Sequence, residues 1–402
     1  MRFLRQEIVA AGLVFLAMAA SSCVGPMRPA TSRVQPPQLT AEDQDVWQHA
    51  IAASGERVHF VWGASGLFYR RSLDEGETWS QDQLITSDGE LHLTDSLSAS
   101  GDNVYIVYLR NLHRERDWCC ERTLGDIYLR RSSDGGLSWT PEQRLTAGAG
   151  AFRLSMAVTD SRVDLVWSDF RNGQWHIYYL RSRDAGVTWN PARQLALVGE
   201  HDTGRAQAAS AGEAIHIVWS NAPHDHAPCY TMRHCPDVYY LQSIDGGDTW
   251  SSLTRLTFDQ PFSGRPDIAA ISDTVLVSYD EDDDDNESHE QHLLRSSDGG
   301  RTWGPSIRLS NAPGASDHGS LIASDGTVHL AWHDVRDPEN MEIYYRYSTD
   351  RGLTWSAEEN LSRGPRLSST PLLAATTHYL HAIWLDRRTG TDQVWYHRRP
   401  LP

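Results

Sequence analysis

A chain of 402 residues with a formal net charge of −17 repels backbone phosphates, which argues against nucleic acid or an anionic bilayer surface as its main partner. Its hydrophobic residues make up 40% and include many of its 15 tryptophans, enough to bury the core of one large domain. Beyond the N-terminus no long stretch has the 3.6-residue apolar period of an amphipathic helix, which excludes a helical bundle.

Arg2 and Arg5 precede an apolar run from Ile8 to Ala20, the pattern of a signal peptide over residues 1–22 and short for a membrane span. Ala20-Ser21-Ser22-Cys23 then matches a bacterial lipobox, with alanine where leucine is usual. Lipidation of Cys23 would make residues 23–35, with Pro26 and Pro29, a tether to a domain over residues 36–402. The expectation is an exported monomer, either a membrane-anchored lipoprotein or a periplasmic or extracellular protein, touching the membrane only through its lipid.

Past the tether the chain repeats. The octapeptide Ser-x-Asp-x-Gly-x-Thr/Ser-Trp occurs six times, with its aspartate at Asp74, Asp134, Asp184, Asp245, Asp298 and Asp350, at intervals of 60, 50, 61, 53 and 52 residues. Such a period suits one four-stranded propeller blade. The aspartate can accept hydrogen bonds from amides just ahead of it, the glycine tolerates positive φ, and the tryptophan plugs the turn onto the blade. These six aspartates are therefore read as structural. Around each octapeptide run four strands, which in the third unit are Leu154 to Thr159, Val163 to Trp167, Ile177 to Ser182 and Arg193 to Leu197.

Second strands begin at Val58, Val104, Val163, Ile215, Val275, Val328 and Leu380, seven against six octapeptides. The last unit lacks a fourth strand, and Pro37-Gln38-Leu39-Thr40 carries the fourth-strand pattern with no octapeptide before it. If that segment pairs with the last unit, the ring closes without an exposed edge. The predicted fold is an all-β, seven-bladed propeller of four-stranded antiparallel blades, with a six-bladed propeller as the alternative.

The connections between second and third strands carry the unusual chemistry. Cys119, Cys120, Cys229 and Cys235 fall there and suit disulfides in an oxidising compartment, while His224, His226, Cys229, His234 and Cys235 could instead ligate zinc or copper. Asp282, Asp283, Asp284 and Asp285 supply the hard oxygens that calcium takes, or simply a solvated surface. Trp118 and Trp175 are expected to be exposed in these loops. Antiparallel order places all of them on the face opposite the octapeptides.

Aligned first strands begin at Trp47, Thr94, Arg153, Arg205, Arg265, His318 and Ser369 beside the central channel. Arg153, Arg205 and Arg265 can hold an anionic ligand, since guanidinium forks bind carboxylates bidentately, or can bridge blades. Two residues beyond the second-strand aromatic, Asp169 with Arg171, Asp334 with Arg336 and Asp386 with Arg388 form recurring pairs, as ligand contacts or as braces between loops.

The octapeptides are Asp-boxes, also called BNR repeats, and the chain from about residue 36 to its end resembles the sialidase (neuraminidase) superfamily. In members with sialidase activity, this resemblance implies an arginine triad on the substrate carboxylate, a tyrosine nucleophile activated by a glutamate, and an aspartate acid/base. Arg153, Arg205 and Arg265 could correspond to the triad, Asp95 or Asp317 to the acid, and Tyr108 or Tyr279 to the nucleophile unless they pack in the core. The Phe/Tyr-Arg-Ile-Pro motif of such enzymes has no counterpart, and sialidase propellers have six blades. Two readings stay open. One is a binding or scaffold module that recognises a glycan, another anionic ligand or a cell-envelope protein; the other is a glycoside hydrolase of exo-alpha-sialidase type. Neither requires a cofactor, and calcium at the acidic run is a candidate.

Overall fold

A computed structural model describes residues 37–402 except 42–43, 88–96, 117–120, 200–204, 222–235, 259–261, 283–288, 338–339 and 366. The described residues form antiparallel sheets whose strands follow one another in chain order, with a single 3-10 turn at Arg171–Gly173 and no α-helix.

The third unit shows why. Ala151–Thr159, Arg162–Asp169, Trp175–Ser182 and Arg193–Gly199 pair in sequence, and every residue of Arg162–Asp169 is buried. A second strand is covered on both faces by neighbouring sheets, so it reads as a continuous apolar run rather than an alternating one. Four-stranded sheets begin at Gln48–Ser54, Gln207–Ala211, Ser263–Ile271 and Ser316–Ser324. The second and third units join through one bridge between Gly125 and Ala151, and the last unit holds three strands, Ser368–Ala375, Tyr379–Asp386 and Gln393–Pro400.

First strands pack against each other in order. Gln48–Ser54 touches Leu97–Ser100, followed by Ala151–Thr159, Gln207–Ala211, Ser263–Ile271, Ser316–Ser324 and Ser368–Ala375, and this last strand touches Gln48–Ser54 again. Residues 37–40 lie along Gln393–Pro400: the Leu39 amide donates to the Val394 carbonyl at 2.8 Å and the Tyr396 amide to the Pro37 carbonyl at 3.0 Å. Leu39 is buried in one cluster with Trp62, Val394 and Tyr396.

Each octapeptide is tied by its own side chains. In the third, the Thr188 amide and hydroxyl donate to the two oxygens of Asp184 at 2.8 and 2.6 Å, and the Gly186 amide donates to the Ser182 hydroxyl at 2.8 Å. These bonds hold the exposed Asp184 carboxyl down at about 2. Anchoring by tryptophan crosses between sheets rather than staying on one: Trp139 meets Tyr69 edge-on at 4.9 Å, Trp250 meets Tyr179 at 5.0 Å and Trp303 meets Tyr240 at 5.1 Å.

Candidate functional site

The first strands surround a cavity of about 600 Å³ lined by Trp47, Arg153, Arg205, Arg265, His318 and Thr370 among others. Four of these residues sit in β-bulges. Phe152 pairs with Ser168 and Leu154 with Trp167, leaving Arg153 extra, while Gly264 pairs with Asp280 and Asp267 with Ser278, which sets Arg265 and Pro266 against Tyr279. His318 and Thr370 occupy the same place in the sixth and seventh units. All four have left-handed backbones, with φ of 48° at Arg153, 46° at Arg265, 56° at His318 and 50° at Thr370. A non-glycine residue there costs about 1–3 kcal/mol, and such bulges re-aim side chains near functional sites. The seventh equivalent is thus Thr370, not Ser369, because the bulge adds a residue that an alignment of strand patterns does not see.

The arginines differ in surroundings. Arg265 presents one nitrogen to both Asp280 at 3.0 Å and Asp317 at 3.2 Å. The Arg153 guanidinium lies 4.9 Å from the centre of the Phe152 ring. Burial lowers the pKa of Arg205, opposed by the charge of Asp267. Burial likewise raises Asp267, opposed by Arg205 and by bonds from the Ile268 amide at 2.9 Å and the Leu321 amide at 2.8 Å.

Asp317 sits beside His333 and accepts from His318 at 3.0 Å. Burial would raise its pKa, but hydrogen bonds from the two histidines hold it far below the usual carboxylate range. It is therefore ionised, the opposite of what a general acid requires. Tyr108 and Tyr279 are fully buried in two clusters, neither lines the cavity, and their hydroxyls bond to Glu142 at 2.6 Å and Ser306 at 2.7 Å. Burial pushes both phenols above their ordinary pKa, away from nucleophilic activation. Asp95 lies outside the described residues; the cavity brings together the three arginines, Asp317 adjoins it through Arg265 and His318, and no tyrosine lines it among the described residues.

Each Asp-x-Arg pair closes on itself at the end of a second strand, with Arg336 also reaching Glu358 and Arg388 the Ser362 carbonyl of the preceding unit. Arg171 grips Asp169 through two bonds of 2.7 and 2.6 Å, Trp167 donates to the same carboxylate at 2.9 Å, and the guanidinium lies 4.1 Å from the centre of the Tyr178 ring. Asp334 with Arg336, Trp332 and Tyr344 repeats this set, as does Asp386 with Arg388, Trp384 and Trp395. All three carboxylates are fully buried. Instead of facing a ligand, each pair clamps the second-strand tryptophan to a third-strand aromatic.

Trp175, expected to be exposed, is completely buried against Phe152 and Phe170. Asp282 is buried beside His289. Cys23, Cys119, Cys120, Cys229, Cys235, Trp118, Asp283, Asp284 and Asp285 lie outside the described residues, as do His224, His226 and His234. Sequence reasoning missed His333, Asp280 and Asp267. His333 follows the second-strand Trp332 directly and could have been picked out as the polar neighbour of a recurring tryptophan.

The family model described as BNR repeat-like domain matches residues 67–330, and the BNR/Asp-box repeat model matches residues 346–357. No curated protein matches the chain. Among solved structures, the Hadza microbial sialidase Hz136 superposes with a TM-score of 0.52 at 14% identity, covering 85% of this chain and 73% of that one. The Trypanosoma rangeli sialidase superposes with a TM-score of 0.50 at 13% identity, over 80% of this chain and 56% of its own, so this chain spans little more than half its length. At these identities the likeness is one of fold.

Proposed function

The chain belongs to the BNR repeat-like family, and on that premise we propose a seven-bladed propeller whose channel, at the end remote from the Asp-boxes, binds an anionic glycan or other carboxylate-bearing ligand. The cyclic packing of first strands and the bonds from residues 37–40 to the last sheet support seven blades closed by the N-terminal segment. Export through residues 1–22 and anchoring at Cys23 belong to the same proposal, which puts the pocket in the cell envelope or outside it.

One observation carries the binding reading: Arg153, Arg205 and Arg265, from three consecutive units, line one cavity in a protein of net charge −17. In a generally acidic molecule a local cluster of guanidinium groups selects for negative charge and orients carboxylates by paired hydrogen bonds. Two bulges supply Arg153 and Arg265 at the cost of backbone strain. Hydrolysis finds less support, because both tyrosine candidates are buried away from the cavity.

The test is calorimetric titration with N-acetylneuraminate, glucuronate and neutral N-acetylglucosamine, beside a fluorogenic sialoside assay. Saturable binding of the acid sugars alone, weakened in Arg205→Ala, is expected. Equal binding of the neutral sugar, or none at all, refutes the anion pocket, and turnover that vanishes in Arg205→Ala replaces it with the hydrolase.

A further inference from the structure

We propose that Asp317, His318 and His333 bind a divalent transition-metal ion on the wall of the channel, with Arg265 holding the second oxygen of Asp317. Their ligand atoms all lie within 4.8 Å of one another, the one such group of three among the described residues. Asp317 and His318 come from a first strand and His333 from the second strand paired with it, so a rigid ladder rather than a loop sets their positions. His318 holds a φ of 56°, and the bulge it occupies turns its side chain toward Asp317.

Both imidazoles turn a ring nitrogen to the same oxygen of Asp317. Their rings stack with centres 4.7 Å apart. The nitrogens that face Asp317, Nδ1 of His318 and Nε2 of His333, are the ones an ion beside that carboxylate would take, in place of the protons that otherwise bridge them to it. His333 is itself only 7% exposed. The His318 side chain lines the cavity and is 40% exposed. Two imidazoles and one carboxylate suit zinc, manganese or iron rather than calcium, which prefers oxygen alone. Three protein ligands leave coordination positions open toward the cavity.

The side chains around Asp317 fit the same reading. Arg265 bonds to Asp317 at 3.2 Å and to Asp280 at 3.0 Å, and Asp280 accepts in turn from Gln291 at 2.5 Å. Carboxylate ligands are typically oriented through such partners. A bound divalent ion would add positive charge to the channel wall, beside an arginine otherwise shared by two carboxylates.

The experiment titrates the metal-stripped protein with Co²⁺, read by its visible absorption, and with Zn²⁺ by calorimetry, with no anionic ligand present. One equivalent is expected, with nitrogen coordination in the cobalt spectrum. Affinity should fall by more than the roughly 10–100-fold that loss of a group orienting a ligand costs, in both His333→Gln and His318→Gln. His318→Gln changes a partly exposed side chain, and circular dichroism verifies that both variants are folded. The proposal is overturned if no stoichiometric binding occurs, or if folded variants keep the wild-type cobalt spectrum and affinity, which would assign the ion to another site such as the acidic run. Because no anion is used, its failure leaves the anion pocket standing.

Discussion

The phenol oxygen of Tyr396, near the C-terminus, lies 3.4 Å from the carbonyl oxygen of Gly76 in the first octapeptide, across 320 positions of sequence. Tyr69 stands against Gly136, Tyr179 against Gly247 and Tyr240 against Gly300 in the same way, and at each of these glycines an added Cβ would overlap the phenol. The last sheet thus meets the first as other sheets meet their successors.

Gly76→Ala should therefore destabilise the protein more than Gly55→Ala. Both glycines have positive φ, 84° and 62°, but a Cβ at Gly55 meets nothing within 4 Å. Gly55→Ala carries only the backbone cost of about 1–2 kcal/mol, whereas Gly76→Ala adds about 1–3 kcal/mol of overpacking. Urea denaturation of the two variants measures the difference, and equal midpoints would contradict the interlock.

Leu39→Ala tests the contribution of the N-terminal segment to the last sheet. Leu39 is 4% exposed, so its truncation is expected to cost about 2–5 kcal/mol. Deleting residues 37–40 should also expose the edge of Gln393–Pro400 and promote aggregation, visible by light scattering. A deletion that melts and scatters like the wild type would rule out closure by this segment.

Breaking an Asp-x-Arg clamp should damage stability and spare ligand binding. Asp169→Ala leaves a guanidinium and an indole without their buried acceptor, a loss of about 3–5 kcal/mol. Thermal melting reads that loss, and titration of an acid sugar separates it from Arg205→Ala, which should weaken binding by about 1.5–3 kcal/mol.

Acid sensitivity should arrive in two windows. His59 and His381 are pushed down to about 3 and His216 and His329 to about 4, first by burial, and each places Nδ1 2.7–2.8 Å from a tyrosine hydroxyl. Their folded pKa values lie below the ordinary 6.5, so the unfolded chain binds more protons. The stability they contribute is full above about 6.5 and falls with pH, each histidine adding a slope of about 1.4 kcal/mol per pH unit. Asp184 and Asp350, at about 2, act lower: their contribution is present above about 4 and is lost as pH falls toward 2. Denaturation between pH 7 and 3 should show the histidine slope shrink in His216→Gln. An unchanged slope would mean that this buried imidazole does not titrate on unfolding.

Much of the architecture is written locally. The Ser182, Asp184 and Thr188 bonds span two to four residues, so the octapeptide specifies its turn wherever it occurs, and six copies reveal the repeat and its strand order without any distant contact. The seventh second strand and the Leu39 pattern came from the same periodicity. The chemistry of the channel has no such local code. Arg265 and Asp317 stand 52 residues apart, and the bulges that aim Arg153, Arg265 and His318 rest on backbone angles that no side-chain pattern announces. Packing between sheets decided which arginine is shared by carboxylates, that Trp175 is core, and that His333 joins Asp317, because each depends on which neighbours the ring brings together rather than on the residues beside it in the chain.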